Sequence, residues 1–250
     1  MCTVTIIPTR DGFRLATNRD ERRTRPAAIP PSTRLFGERH ALSPTDPLGG
    51  GTWVAATETG MVFTVLNGNP FPMPSMPPKE HLVSRGLIIP SIASAPSISG
   101  AVALTENLPL ERLAPFRLVV CDGRTIVEAW WAREQLSLHR RDIAPSCWVS
   151  SGLGDHLVQA RHPLFKEMVA DAGATPDAQD AFHTHRWPDN PRVSVLMERE
   201  DARTVSRTVV ELVKGDSATM RYTDDRGVVV ARLSLSRADS RIEQAARRTT

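Results

Sequence analysis

Hydrophobic and polar positions alternate from the start of the chain. Across 2–8, Cys2, Val4 and Ile6 share one side and Thr3, Thr5 and Ile7 the other. Across 13–19, Phe13, Leu15, Thr17 and Arg19 oppose Arg14, Ala16 and Asn18. Period-two alternation on both sides of Asp11-Gly12 predicts a β-hairpin. Residues 22–50, rich in proline, arginine and polar side chains, read as a surface excursion. A second hairpin is predicted over 52–57 and 61–67, turning at Glu58-Thr59-Gly60. The proline cluster 68–78 fits neither a helix nor a central strand. Its place after Asn67 makes it a lid or a mobile surface loop.

Residues 80–106 read as helical pieces broken at Pro90 and Pro96. Four strands follow between 115 and 150. In Phe116-Arg117-Leu118-Val119-Val120-Cys121 apolar residues point both ways, the mark of a strand covered on both faces. A helix is predicted over 163–171, stopped at Gly173, and another from the cap Thr175-Pro176 to about Arg186. Strands are predicted at 192–198, 204–213, 217–222 and 227–235, before a polar tail over 236–250. Strands, helices, strands, helices, strands imply an α+β fold in which two packed antiparallel sheets are flanked by helices. No boundary divides 1–235, so one domain is expected.

Composition narrows the class. The 250 residues are 40% hydrophobic and 24% charged with a net charge of +3, which is ordinary for a soluble protein. Basic residues are scattered, not gathered into a stripe with aromatics, so nucleic acid is not an expected partner. No apolar run approaches the ~20 residues that span a bilayer, and no signal-peptide pattern opens the chain. Cys2, Cys121 and Cys147 form no CxxC pair, consistent with a reduced, cytoplasmic protein. His183-Thr184-His185 lacks an acidic or cysteine partner at metal-ligand spacing and reads as an exposed helix end, so no metal is expected. Of the adjacent Trp130 and Trp131, one is expected in the core. Gly49-Gly50-Gly51 lacks the GxGxxG spacing and precedes a strand, and no cofactor is implied.

The candidate chemistry lies in the first hairpin. Removal of Met1 would leave Cys2 with both a thiol and a free α-amine. Such an amine has a pKa near ~7.7–8.0 and can take the thiol proton, making one residue nucleophile and base. The return strand ends in Asn18-Arg19-Asp20-Glu21. There Asp20 is placed to hold an amine and Arg19 to favour a thiolate. The other reading of Cys2 is a small apolar residue starting a strand.

These residues resemble the NRDE family, also called the Transport and Golgi Organisation 2 family. The resemblance rests on Met1-Cys2, Asn18-Arg19-Asp20-Glu21 with Arg25-Pro26, Gly50-Gly51-Thr52-Trp53 and Leu66-Asn67. Weaker echoes follow in Ser84-Arg85-Gly86, Pro115-Phe116-Arg117-Leu118, Ser150-Ser151-Gly152-Leu153 and Ala202-Arg203-Thr204-Val205-Ser206. It implies an N-terminal-nucleophile (Ntn) hydrolase fold, a four-layer αββα sandwich, and kinship with cysteine amidases such as choloylglycine hydrolases and penicillin V acylases. Carried over, Cys2 becomes the nucleophile, Arg19 and Asp20 its partners, and Asn67 an oxyanion donor. The second asparagine of those amidases is replaced by Ser151-Gly152, and their late arginine corresponds to Arg203 or Arg207. Asn18, Ser151, Arg203 and Arg207 are therefore the further expected substrate contacts. The implied activity is cleavage of an amide in a small N-acyl substrate through a Cys2 thioester. The alternative is a non-catalytic carrier of an apolar ligand, an acyl lipid or haem, on the same fold. The sequence assigns no oligomeric state.

Overall fold

The computed structural model describes residues 2–236. Most of the tail expected over 236–250 lies outside them. The terminal hairpin forms as predicted from β1 (Cys2–Thr9) and β2 (Gly12–Arg22). Glycine is required at position 12, because a Cβ there would lie 1.8 Å from the Leu212 carbonyl oxygen of a neighbouring strand. The further strands are β3 (Ile29–Phe36), β4 (Arg39–Thr45), β5 (Val54–Thr57), β6 (Val62–Asn67), β7 (Phe116–Cys121), β8 (Thr125–Trp131), β9 (Leu136–Asp142), β10 (Ser146–Ser150), β11 (Ala202–Val213), β12 (Ser217–Asp224) and β13 (Gly227–Ser234). They make two antiparallel sheets, ordered β10-β1-β2-β11-β12-β13 and β3-β4-β5-β6-β7-β8-β9.

The alternation in β1 and β2 decides how these sheets stack. Cys2, Val4, Ile6, Phe13 and Leu15 join Phe63, Leu118 and Val120 of the second sheet in one continuous core. The opposite face carries Thr3, Thr5 and Ile7. Ile7 packs there with Phe165, Val169, Phe182 and Val195. These come mostly from α3 (Arg161–Phe165, continued by a π-helical turn over Lys166–Ala170) and α4 (Pro176–Thr184). Thr175 caps α4 by accepting from the Ala178 N–H at 3.2 Å. On the far side α1 (Ile88–Ile92) packs on β6 and α2 (Ile98–Glu106) on β7 and β8. The layers are thus helices, sheet, sheet, helices.

Three sequence expectations are corrected. Residues 22–50 are not only an excursion: β3 and β4 form a hairpin at the edge of the second sheet, burying Ala41, Leu42 and Ser43. Pro30 and Pro31 hid this strand, and an edge position with a register shift between Ile29 and Ser32 tolerates them. Residues 192–198 are not a strand; a 3-10 turn (Pro191–Val193) is followed by a single bridge between Glu198 and Arg203. His183 is no exposed helix end but is fully buried on the inner side of α4. The expectation for the tryptophans holds, with Trp131 buried and Trp130 half-exposed under the Arg117 guanidinium. Among the described residues no helix is long and apolar enough to cross a membrane.

Candidate functional site

Cys2 opens β1, and the register of the terminal hairpin sets Arg19 directly across from it. Directly opposed residues share a face, so the thiol and the guanidinium lie on the inner side of the sheet. Asp20, one residue on, reaches the outer side. There its Oδ1 accepts from Thr204 Oγ1 at 2.6 Å, and its Oδ2 lies 4.0 Å from Arg161 Nη1. On the other flank of β1, Ser150 of β10 lies across from Cys2, and its Oγ accepts from the Cys2 backbone N–H at 3.1 Å. The first peptide nitrogen of the strand is thus fixed by a hydroxyl.

Cys2 is 6% exposed, bordering both the inter-sheet core and a cavity of about 610 Å³. That volume is typical of small-molecule sites, which run ~300–1,000 Å³. Arg19 stands beside the thiol with its charge answered. Its Nη2 donates to Asp46 Oδ2 at 3.1 Å and Glu21 Oε2 at 3.4 Å, and its guanidinium covers the Trp53 ring at 4.6 Å. Arg25 reaches the same Asp46 oxygen at 2.6 Å. Burial works to raise the Asp46 carboxyl. Hydrogen bonds from Arg25 and the Leu48 N–H, with the charges of Arg25 and Arg19, outweigh it and leave that pKa lowered.

Burial pushes the Cys2 thiol up and Asp20 adds to the rise, while Arg19 and the Asp20 backbone N–H act against it. Burial likewise raises the Asp20 carboxyl, opposed by Arg161 and the Thr204 hydroxyl. With the thiol raised in this way, attack needs a base at the sulfur. Asn67 ends β6 on the same cavity, and its side-chain amide makes no hydrogen bond to other described residues.

The far wall is built by a backbone clamp. Thr52 N–H donates to the Gly86 carbonyl at 2.9 Å. A Cβ on Gly51 would sit 2.2 Å from that oxygen, so only glycine permits the approach. The Gly-Gly-Thr-Trp and Ser-Arg-Gly motifs thus form one wall together, with Trp53 and Arg85 both lining the cavity.

Of the predicted site residues, the fold brings Cys2, Arg19, Asp20 and Asn67 to one cavity. It does not bring the others there. Asn18 lies across from Thr3 on the outer face, where its Nδ2 donates to the His183 and Val195 carbonyls at 2.9 Å each. Ser151 is buried past the end of β10, with its N–H on Asp155 Oδ1 and its Oγ accepting from Leu153 N–H. Arg203 pairs with Asp225 at 2.7 Å and Arg207 with Asp180 at 3.6 Å, both lining a separate cavity of about 310 Å³. The sequence reading missed Ser150, Asp46, Arg85 and Arg161. Arg85 carried a signal in its Ser-Arg-Gly motif; Arg161 carried none.

A family model described as Transport and Golgi organisation 2 matches residues 1–179. No curated protein sequence matches the chain. Among solved structures, penicillin V acylase from Agrobacterium tumefaciens superposes with a TM-score of 0.54 at 13% identity, covering 96% of this chain and 87% of that one. A mutant conjugated bile acid hydrolase from Clostridium perfringens gives 0.53 at 12%, covering 94% and 92%. The Caenorhabditis elegans ortholog of N-acylethanolamine-hydrolyzing acid amidase gives 0.52 at 10%, covering 83% and 92%. At such identities the likeness is one of fold: two stacked antiparallel sheets of the Ntn-hydrolase type.

Proposed function

The chain belongs to the Transport and Golgi organisation 2 family, and from that premise we propose that it is a cysteine amide hydrolase whose nucleophile is Cys2 after loss of Met1. One observation carries this reading. Cys2 lines an open cavity of small-molecule size while its backbone nitrogen is fixed by Ser150, so nucleophile and prospective α-amine sit at one place. The names of the solved relatives, an acylase, a hydrolase and an amidase, agree with it.

The chemistry follows from the residues. The Cys2 sulfur attacks the amide carbonyl carbon as its proton passes to the α-amine, and a C–S bond forms. The carbonyl oxygen gains negative charge, for which the Asn67 side-chain amide is the donor within the cavity. The α-ammonium returns the proton to the leaving nitrogen, the C–N bond breaks, and a thioester remains. Water then attacks the thioester carbon, giving one proton through the α-amine to the departing sulfur and releasing a carboxylic acid. Arg19, held by Asp46 and Glu21, favours the thiolate form of Cys2. Asp20, held by Thr204, orients the amine.

The test combines mass spectrometry with turnover. Intact mass is expected to show Met1 removed and, on brief exposure to an activated acyl donor such as a p-nitroanilide, one acyl group on the protein. The Cys2→Ala variant is expected to carry none and to lose turnover by about 10⁴-fold or more, since removing a nucleophile leaves only binding and oxyanion effects. Retained Met1, or unchanged turnover in Cys2→Ala, sinks the reading.

A further inference from the structure

Besides Arg19 and Arg25, the cavity is lined by an arginine in a different electrical state. Arg85 sits in the 3-10 turn Arg85–Leu87, begun by Ser84, whose Oγ accepts from the Gly86 N–H. The turn is anchored through Gly86 to Thr52, so the Arg85 backbone is fixed by the clamp described above. Its side chain is half-buried and donates one hydrogen bond, from Nη1 to the Pro115 carbonyl at 2.7 Å. Among the described residues it has no ion pair. Cys2, Asp155 and Glu21 act on it only at a distance. Arg19 and Arg25, lining the same cavity, are both tied to Asp46 and Glu21.

A partly desolvated guanidinium with most of its fork unoccupied is an unfavourable arrangement unless an anion completes it. The fork geometry matches a carboxylate bidentately, which an ammonium cannot do. The cavity agrees in net sign: Arg19, Arg22, Arg25, Lys79 and Arg85 line it against Asp20, Glu21 and Asp46. Trp53, Val65, Leu82, Val83 and Ala114 give it an apolar stretch beside the uncharged polar Thr52, Asn67 and Ser84. Such a lining suits a ligand with one anionic end and one apolar arm.

We propose that Arg85 is the specificity residue of this cavity, binding a carboxylate on the substrate, so that the amide cleaved is of the N-acyl amino acid type. The apolar acyl arm lies on the Trp53 and Val83 surface, the carboxylate meets the Arg85 fork, and the amide between them is presented to Cys2. The inference rests on the amide-hydrolase reading for the cleavage step but not for the binding step, and its test keeps the two apart.

Binding is measured by calorimetry on the full chain carrying Cys2→Ala, which cannot turn over, with N-decanoylglycine and its neutral methyl ester as probes. The acid is expected to bind at least tenfold more tightly than the ester. Adding Arg85→Gln is expected to bring the ratio to within about twofold, and Arg85→Lys to restore part of it, because charge returns without the fork. Equal affinity for acid and ester with Arg85 intact overturns the proposal, as does a preference that survives Arg85→Gln. Should Arg85→Gln fail to fold, an Arg85→Lys protein with undiminished preference overturns it equally. With Cys2 present, both probes are then assayed for release of decanoic acid. Preferential binding of the acid without cleavage leaves the anion site standing and removes the hydrolase reading. Cleavage of both probes at equal efficiency does the reverse.

Discussion

The two faces of the terminal hairpin are made by alternate residues of the same strands, yet they are finished differently. On the outer face donors are matched to acceptors over many contacts. Arg161 donates to Thr3 Oγ1, Val193 O and Ser194 O; His183 bonds Thr5 and Asn18; Gln179 bonds Thr5 and Arg14. On the inner face, Cys2 and Arg19 open on a cavity where, among the described residues, the Asn67 side chain has no hydrogen-bond partner and the Arg85 side chain has one. Completed polar networks hold a fold in one geometry, whereas incomplete ones are kept where a ligand can finish them. The contrast separates the part of this molecule that holds the site from the part that would do chemistry.

Removing a member of the outer face is the strongest way to strain that contrast. Arg161 and Asp20 side chains are each about 1% exposed, and the arginine offsets the buried carboxylate. Arg161→Met removes one guanidinium beside the buried carboxylate and the donor to three acceptors. Loss of one partner of a buried pair typically costs about 3–5 kcal/mol. Urea denaturation is the measurement. A variant as stable as the parent would mean that the outer face is not the scaffold described here.

The inner face is expected to respond in the opposite sense. Asn67→Ala removes no hydrogen bond between described residues, so its unfolding midpoint is expected to stay within about 0.5 kcal/mol of the parent. Turnover of an N-acyl substrate is expected to fall ~10²–10³-fold, the usual effect of losing one oxyanion donor. A large loss of stability with little loss of rate would place Asn67 on the structural side of the comparison.

How much of this was legible in the sequence follows the same division. The hairpin was readable because its alternation and turn are local, and the two-sided burial of β7 because an unbroken apolar run admits little else. Cys2, Arg19 and Asp20 could be grouped because a hairpin brings them together by register alone. Asn67 came from the family resemblance. What stayed hidden was non-local. Ser150 reaches Cys2 through a strand pairing across 148 positions, and Arg161 reaches Thr3 across 158. Arg203 and Arg207 were misplaced for a related reason. They lie on β11 beside β2, but their side chains pair with Asp225 and Asp180, away from the thiol. Asn18 shows the limit of a motif, since its two neighbours in the Asn-Arg-Asp stretch line the cavity while its own amide is occupied by α4 and Val195. The β3 strand was obscured because its prolines satisfy an edge, a property visible only once the sheet is assembled.

The subtlest expected difference between the faces lies in how they answer to acid. Burial, with Arg207, Arg14 and Arg161 nearby, depresses the His183 pKa from 6.5 to about 3. Between those values the unfolded chain binds a proton at this histidine and the folded chain does not, so stability rises with pH across the window. The contribution is complete above pH 6.5 and is lost progressively as pH falls toward about 3. Asp20 works in the other direction, because its raised carboxyl pKa favours the folded state at low pH and that support fades as pH rises through the folded value. A single pH profile therefore mixes both signs. Comparison of the parent with His183→Gln isolates the histidine: glutamine stays neutral and can still bond to Thr5 or Asn18. Unfolding midpoints measured between pH 7 and pH 5 are expected to drop in the parent and to drop less in the variant. Identical slopes would mean that His183 is open to protons in the folded state, and the outer face would then not be the sealed layer its hydrogen bonds describe.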